Sequence, residues 1–213
     1  MCDCGVYSEN ANIIKKVLND EPHVVNSVVV DLSPLMYAAI KNYFDCLNVI
    51  LEFNLDINFR NKSGNTALLY ACQFGHFDCA YELLKRGADP MIANNNGDNC
   101  LHICAYMGYV ELVKLLLCYC FPNAQNNFGE TALMIACKYN HRKVVKILYG
   151  FVNPYITTIV GNNCLHVAVL ERHYGVIKKL LKYGMDSGFT NIMNRKAIDI
   201  ARDCGYEEIM SLF

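Results

Sequence analysis

The 213-residue sequence predicts an all-α stack of short repeats, and three observations carry that reading. One octapeptide recurs at Gly64 to Ala71 (GNTALLYA), Gly97 to Cys104 (GDNCLHIC), Gly129 to Ala136 (GETALMIA) and Gly161 to Ala168 (GNNCLHVA), with weaker copies at Asp31 to Ala38 and Asn194 to Ala201. Its central aliphatic residue falls at Leu35, Leu68, Leu101, Leu133, Leu165 and Ile198, at intervals of 33, 33, 32, 32 and 33. A fixed period of roughly 20 to 50 residues is the mark of a repeat architecture. Within a copy, apolar residues follow at i, i+3 and i+4, as Leu68, Ala71 and Cys72 do. That spacing puts them on one face of a helix.

The first helix of each unit has a readable start. Ser33, Thr66, Asn99, Thr131 and Asn163 stand where a side-chain oxygen can accept from the orphan amides of the first turn. Lys196, in the same slot of the last unit, cannot, so that unit is expected to fray. Second helices carry denser apolar runs, such as Val110, Leu112, Val113, Leu115, Leu116 and Leu117, or Val176, Ile177, Leu180 and Leu181. An isolated helix pair cannot hide so much apolar surface, whereas stacking against neighbouring units buries it. Gly64, Gly97, Gly129 and Gly161 precede the helix starts, in turns where a positive φ is expected.

These octapeptides resemble the Thr-Pro-Leu-His-x-Ala helix start of the ankyrin repeat, a unit of about 33 residues. Gly75-His76 after a first helix, the run Leu83 to Pro90 (LLKRGADP) closing a second, and Asn61-Lys62-Ser63-Gly64 in the turn extend the likeness over nearly the whole chain. The resemblance implies an ankyrin-repeat solenoid of helix-turn-helix units joined by β-turn or hairpin fingers, forming a single domain over residues 1–213. An N-terminal capping repeat is expected at 1–26, with Gly5 in the slot of Ala38 and Leu18 in that of Leu51. Full repeats follow at 27–60, 61–93, 94–125, 126–157 and 158–190, and a truncated C-terminal cap at 191–213.

Composition narrows the function. With 54% hydrophobic and 18% charged residues the chain folds rather than remaining disordered. Its 19 basic and 20 acidic residues give a net charge of -1, which argues against nucleic acid as a partner. The halves differ mildly: residues 1–106 carry 7 basic and 12 acidic side chains, residues 107–213 carry 12 and 8. No apolar run approaches the ~18 residues that a membrane span needs, and no signal segment is readable, so a cytoplasmic or nuclear protein without membrane insertion is expected.

The 12 cysteines then read as thiols in a reducing compartment. Cys100, His102 and Cys104 are the most tempting metal constellation, but on a helix the histidine points away from the two sulfurs. Cys100 and Cys164 also fill a slot held elsewhere by Ala67, Ala132 and Ala197, which reads as core packing. Cys2, Cys4, Cys118 and Cys120 are expected to be exposed. His76, His141 and His173 end first helices and are expected to act as caps. The resemblance gives His102 and His166 a role in tying a turn to its neighbour. Neither a nucleophile with an orienting carboxylate nor a phosphate-binding loop is present, so no cofactor, small-molecule substrate or catalysis is expected.

The resemblance places the binding surface in a concave groove of turn tips and first-helix ends. There the sequence puts Ile40, Phe74, Tyr106, Met107, Tyr139 and Leu170 on helices and Arg60, Lys62, Phe128 and Ile159 at tips. Aromatic and apolar side chains at such sites favour an interface over mere solubility. The expectation is a non-enzymatic scaffold or adaptor, monomeric alone, binding a helix, loop or extended segment of another protein. Two alternatives stand beside it: the targeting or regulatory part of a larger enzyme or channel, and an ankyrin-type proteasome-assembly chaperone. The initiating Met1 and the capped ends favour a complete small protein.

Overall fold

The computed structural model describes residues 4–27 and 31–213. Among these it contains thirteen α-helices, one short 3-10 helix and two isolated antiparallel bridges, Gln125 to Thr131 and Thr190 to Lys196. The chain divides into two compact units, Met1–Cys100 and Leu101–Phe213.

In the first unit, α1 (Cys4–Asp20) and the 3-10 helix (Pro22–Asn26) precede two helix pairs. These are α2 (Pro34–Lys41) with α3 (Phe44–Ile50), and α4 (Ala67–Phe74) with α5 (Phe77–Lys85). α1 packs on α3, α2 on α4 and α3 on α5. The N-terminal segment differs from the expected helix pair, because residues 4–20 form one continuous helix. Later units reverse direction at Asn42 or Gly75, both in the left-handed region. The matching position is Glu9, and with no glycine or proline from Val6 to Asp20 nothing stops the helix.

The second unit follows with α6 (Cys100–Met107), α7 (Val110–Leu116), α8 (Ala132–Lys138), α9 (Arg142–Leu148), α10 (Cys164–Leu170), α11 (Tyr174–Lys182), α12 (Ala197–Asp203) and α13 (Glu207–Met210). First helices form one row, α8 on α10 and α10 on α12; second helices form another, from α7 through α9 and α11 to α13. The repeated aliphatic positions Leu35, Leu68, Leu101, Leu133 and Leu165 are 1 to 3% exposed. Ile198 departs from the pattern and is only half-buried. Its partner helix α13 has 4 residues, against 7 to 9 in the second helices before it.

The start signals at Ser33, Thr66, Thr131 and Asn163 hold in detail. Ser33 Oγ accepts from Met36 N, Thr66 Oγ1 from Leu69 N and Thr131 Oγ1 from Met134 N, at 3.2 to 3.4 Å. Asn163 Oδ1 accepts from both Leu165 N and His166 N. Lys196 makes no side-chain cap bond; its own amide donates instead to the Asp199 carboxylate at 3.0 Å.

Gly161 shows why a turn glycine is required twice over. Its φ is +76°, and a Cβ there would lie 2.6 Å from the backbone nitrogen of Ile192, on the adjoining hairpin. Cys46, Cys72, Cys79, Cys100, Cys104, Cys137 and Cys164 are buried. Burial, with Asp78 beside it, pushes the Cys79 thiol up to about 11. Cys137 is raised by burial and by its neighbour Cys164. Neither is a nucleophile at neutral pH. Cys118 is exposed as expected, but Cys120 is buried, drawn in where the chain turns after α7 and its amide reaches back to Leu116 O. Cys2 and the side chain of Cys4 lie outside the described residues.

Candidate binding surface

The ends of the first helices are built by histidines from the next repeat. His76 Nε2 donates to Ile40 O at 3.1 Å, His141 Nε2 to Tyr106 O at 2.7 Å and His173 Nε2 to Lys138 O at 2.8 Å. A carbonyl can only accept, so each Nε2 carries the proton. Those carbonyls belong to last helical turns, where no intrahelical donor remains. The three imidazoles do act as caps, but for the helix of the preceding repeat; each precedes its own second helix without a side-chain cap bond. At Gly108 (φ +78°) an added Cβ would come 2.5 Å from His141 Nδ1, so the glycine admits the ring.

This stitching fixes the surface on which the candidate residues stand. In the second unit, the rings of Tyr106 and Tyr139 meet edge to face, with centroids 4.5 Å apart and planes at 80°. They come from successive repeats and remain 45% and 44% exposed. Met107 beside them is half-buried, and Leu170, at the end of α10, is exposed. Lys138 donates to Glu130 Oε1 at 2.9 Å, and that bond raises the ammonium's pKa.

Phe128 and Ile159 sit on adjacent hairpin tips joined by a bond from Ile159 N to Phe128 O at 3.1 Å. The last hairpin adds Ile192 and Met193, 70% and 71% exposed, which the sequence reading passed over. Their signal was available, since Phe128, Val160 and Met193 repeat at intervals of 32 and 33.

In the first unit, Phe74 is exposed and stacks on His76 with centroids 6.1 Å apart, while Ile40 is half-buried. Arg60 is occupied within the fold, its guanidinium donating to Gly64 O at 3.3 Å and Ala93 O at 3.0 Å. The Lys62 amide donates to the Asp31 carboxylate and its side chain is exposed.

The remaining histidines tie helix starts to the following hairpin. His102 Nε2 donates to Ala124 O and Glu130 O, both at 3.1 Å, and His166 Nε2 to Arg195 O at 3.0 Å. The ring between Cys100 and Cys104 is thus aimed at backbone carbonyls, and no group of three metal-ligating side chains that could hold an ion lies among the described residues.

Polar side chains bound to neighbouring backbone, small residues in the core and aromatic groups facing outward define a helical-repeat protein that offers a surface. The matches to known proteins agree. The family described as ankyrin repeats (3 copies) matches residues 4–94 and 87–157, and a further ankyrin repeat matches residues 160–195. The chain belongs to the ankyrin-repeat family. The crystal structure of EF0377, an ankyrin repeat protein, is similar to it with a TM-score of 0.77 and 26% identity, covering 84% of this chain and 95% of that one. No curated protein matches the sequence. Ankyrin repeats are in general protein–protein interaction modules, and no helix among the described residues is long and apolar enough to cross a membrane.

Proposed function

We propose that this protein is a non-enzymatic adaptor that docks a helix, loop or extended segment of a partner protein on the first-helix ends and hairpin tips of its second unit. Tyr106, Met107 and Tyr139 form the centre of that contact, and Phe128, Ile159 and Leu170 extend it. Phe74 and Ile40 offer a separate contact on the first unit, with Lys62 at its tip. Seven cysteines fill buried slots of the helical core, a use of the residue that suits a reducing cytoplasmic or nuclear location.

The observation that carries the reading is the edge-to-face tyrosine pair at 4.5 Å. Two aromatic rings held against each other but open to solvent lose little freedom on binding, so their contact area is available at low entropic cost. The bond from His141 to the Tyr106 carbonyl fixes the backbone beneath one of them.

A peptide ligand selected from a displayed library against the folded protein tests this. Tyr106→Ala or Tyr139→Ala should weaken it by about 2 kcal/mol, roughly thirtyfold, with the melting midpoint nearly unchanged. A photo-cross-linker at position 107 should label the same peptide. Unfolding of both variants would assign the rings to the core; folded variants that bind normally would move the interface to another face.

A further inference from the structure

We propose that the outer faces of α9 and α11 form a second docking surface, which takes a short acidic segment of a partner protein. The two helices carry Arg142, Lys143, Lys146, Lys178, Lys179 and Lys182 and not one carboxylate. They pack side by side, and Lys179 Nζ crosses to Arg142 O at 3.0 Å. The Arg142 side chain lies against Gly175 of α11, where a Cβ would come 2.8 Å from its Nη1. Lys143, Lys146, Lys178 and Lys182 are exposed.

Three other helices of this chain pair charges along their own length. Glu82 holds Lys85 and Arg86 on α5 and just beyond it, Glu111 holds Lys114 on α7, and Asp199 holds Arg202 on α12. None of the six cations on α9 and α11 enters an ion pair among the described residues. Arg142 and Lys146, Lys143 and Lys146, and Lys178 and Lys182 stand three or four residues apart, where like charges repel. An anionic partner relieves that repulsion and gains charge complementarity.

The extent of the patch selects the occupant. On one side α7 presents Glu111 paired with Lys114, a flank of no net charge, and on the other α13 presents Glu207 and Glu208, all exposed. The positive field is therefore two helices wide, about 10 Å between axes and little longer than that along them. A few Asp or Glu residues in an extended or helical segment fill this area. A nucleic acid or an anionic bilayer would extend over the neutral flank of α7 and the carboxylates of α13.

Fluorescence anisotropy with a labelled twelve-residue Glu-rich peptide tests the proposal, with a Gln-substituted peptide, a single-stranded oligonucleotide of equal charge and phosphatidylserine vesicles as comparisons. The Glu-rich peptide should bind, more weakly as salt is raised. The double variant Lys146→Glu, Lys178→Glu should lower its affinity about tenfold or more. If that variant melts early, Lys146→Gln with Lys178→Gln should still lower affinity about threefold. Failure of the wild-type protein to bind the acidic peptide, equal binding of the Gln peptide, or undiminished binding by folded variants would each overturn it. Tighter binding of the oligonucleotide or the vesicles would also overturn it, in favour of those ligands.

Discussion

Asn163 does two jobs with one oxygen. Its Oδ1 accepts from two backbone amides at the start of α10 and also lies 2.7 Å from His166 Nδ1, while its Nδ2 is buried without a partner. The His166 Nε2 proton is committed to Arg195 O, so a neutral ring turns a lone pair, not a proton, toward Asn163. A hydroxyl would serve better, because it accepts from the amide and donates to Nδ1. Asn163→Thr should therefore raise stability by about 1 kcal/mol in urea denaturation. Burial lowers the His166 pKa, against the opposing pull of the Arg195 carbonyl. Below pH ~6.5 the unfolded chain then binds more protons than the folded one. This contribution to stability is complete above that pH and drains away as pH falls toward the folded-state value; an NMR titration of the His166 ring should place its midpoint below ~6.5. Adjacent positions in α6 separate packing from chemistry: Leu101→Ala should cost about 2 to 5 kcal/mol, and Cys100→Ala less than about 1 kcal/mol, because alanine already fills that slot in three other repeats. A loss of about 3 kcal/mol or more for the cysteine change would mean that the thiol does more than fill space.

Among the first helices α2, α4, α8, α10 and α12, the last has the weakest start. Its N-cap residue Lys196 offers no acceptor, and only the reciprocal half of a capping box, Asp199 accepting from the Lys196 amide, is present. That hydrogen bond, more than the nearby Arg202, holds the Asp199 carboxyl below its usual range. Lys196→Thr restores the missing half and should raise the melting midpoint by an amount equivalent to about 1 kcal/mol. An unchanged midpoint would show that the amide bond alone satisfies this helix end. The missing acceptor was legible as a residue type. The Asp199 contribution was not, because it depends on a rotamer that reaches back three residues. The same holds for the three cross-repeat histidines: their period was readable, yet the carbonyl each one caps lies 35 or 36 residues earlier.

At the scale of the whole molecule, stability is a sum of repeat and nearest-neighbour terms, so protection should vary along each unit. Within the second unit, hydrogen exchange should be slowest in α9 and α10, flanked by packed helices on both sides, and fastest in α12 and α13. Equal protection of the two pairs would contradict the frayed last repeat. The net charge of -1 also conceals structure. The second unit concentrates half of its 12 basic residues on two adjacent helices, which no total or half-chain count reveals.

The sequence by itself determined the period, the helix starts, the buried aliphatic row and the small-residue slots filled by cysteine, because each is local chemistry repeated at a fixed interval. It also named Tyr106 and Tyr139 as surface residues. Tertiary structure decided what the repeat cannot encode. It brought those two rings from different slots of successive repeats to 4.5 Å, committed the Arg60 guanidinium to carbonyls, merged the N-terminal segment into one helix and left Ile198 half-covered. Each of these depends on which atoms a neighbouring repeat supplies, and a side chain's partner one repeat away is set by packing rather than by its own position in the period.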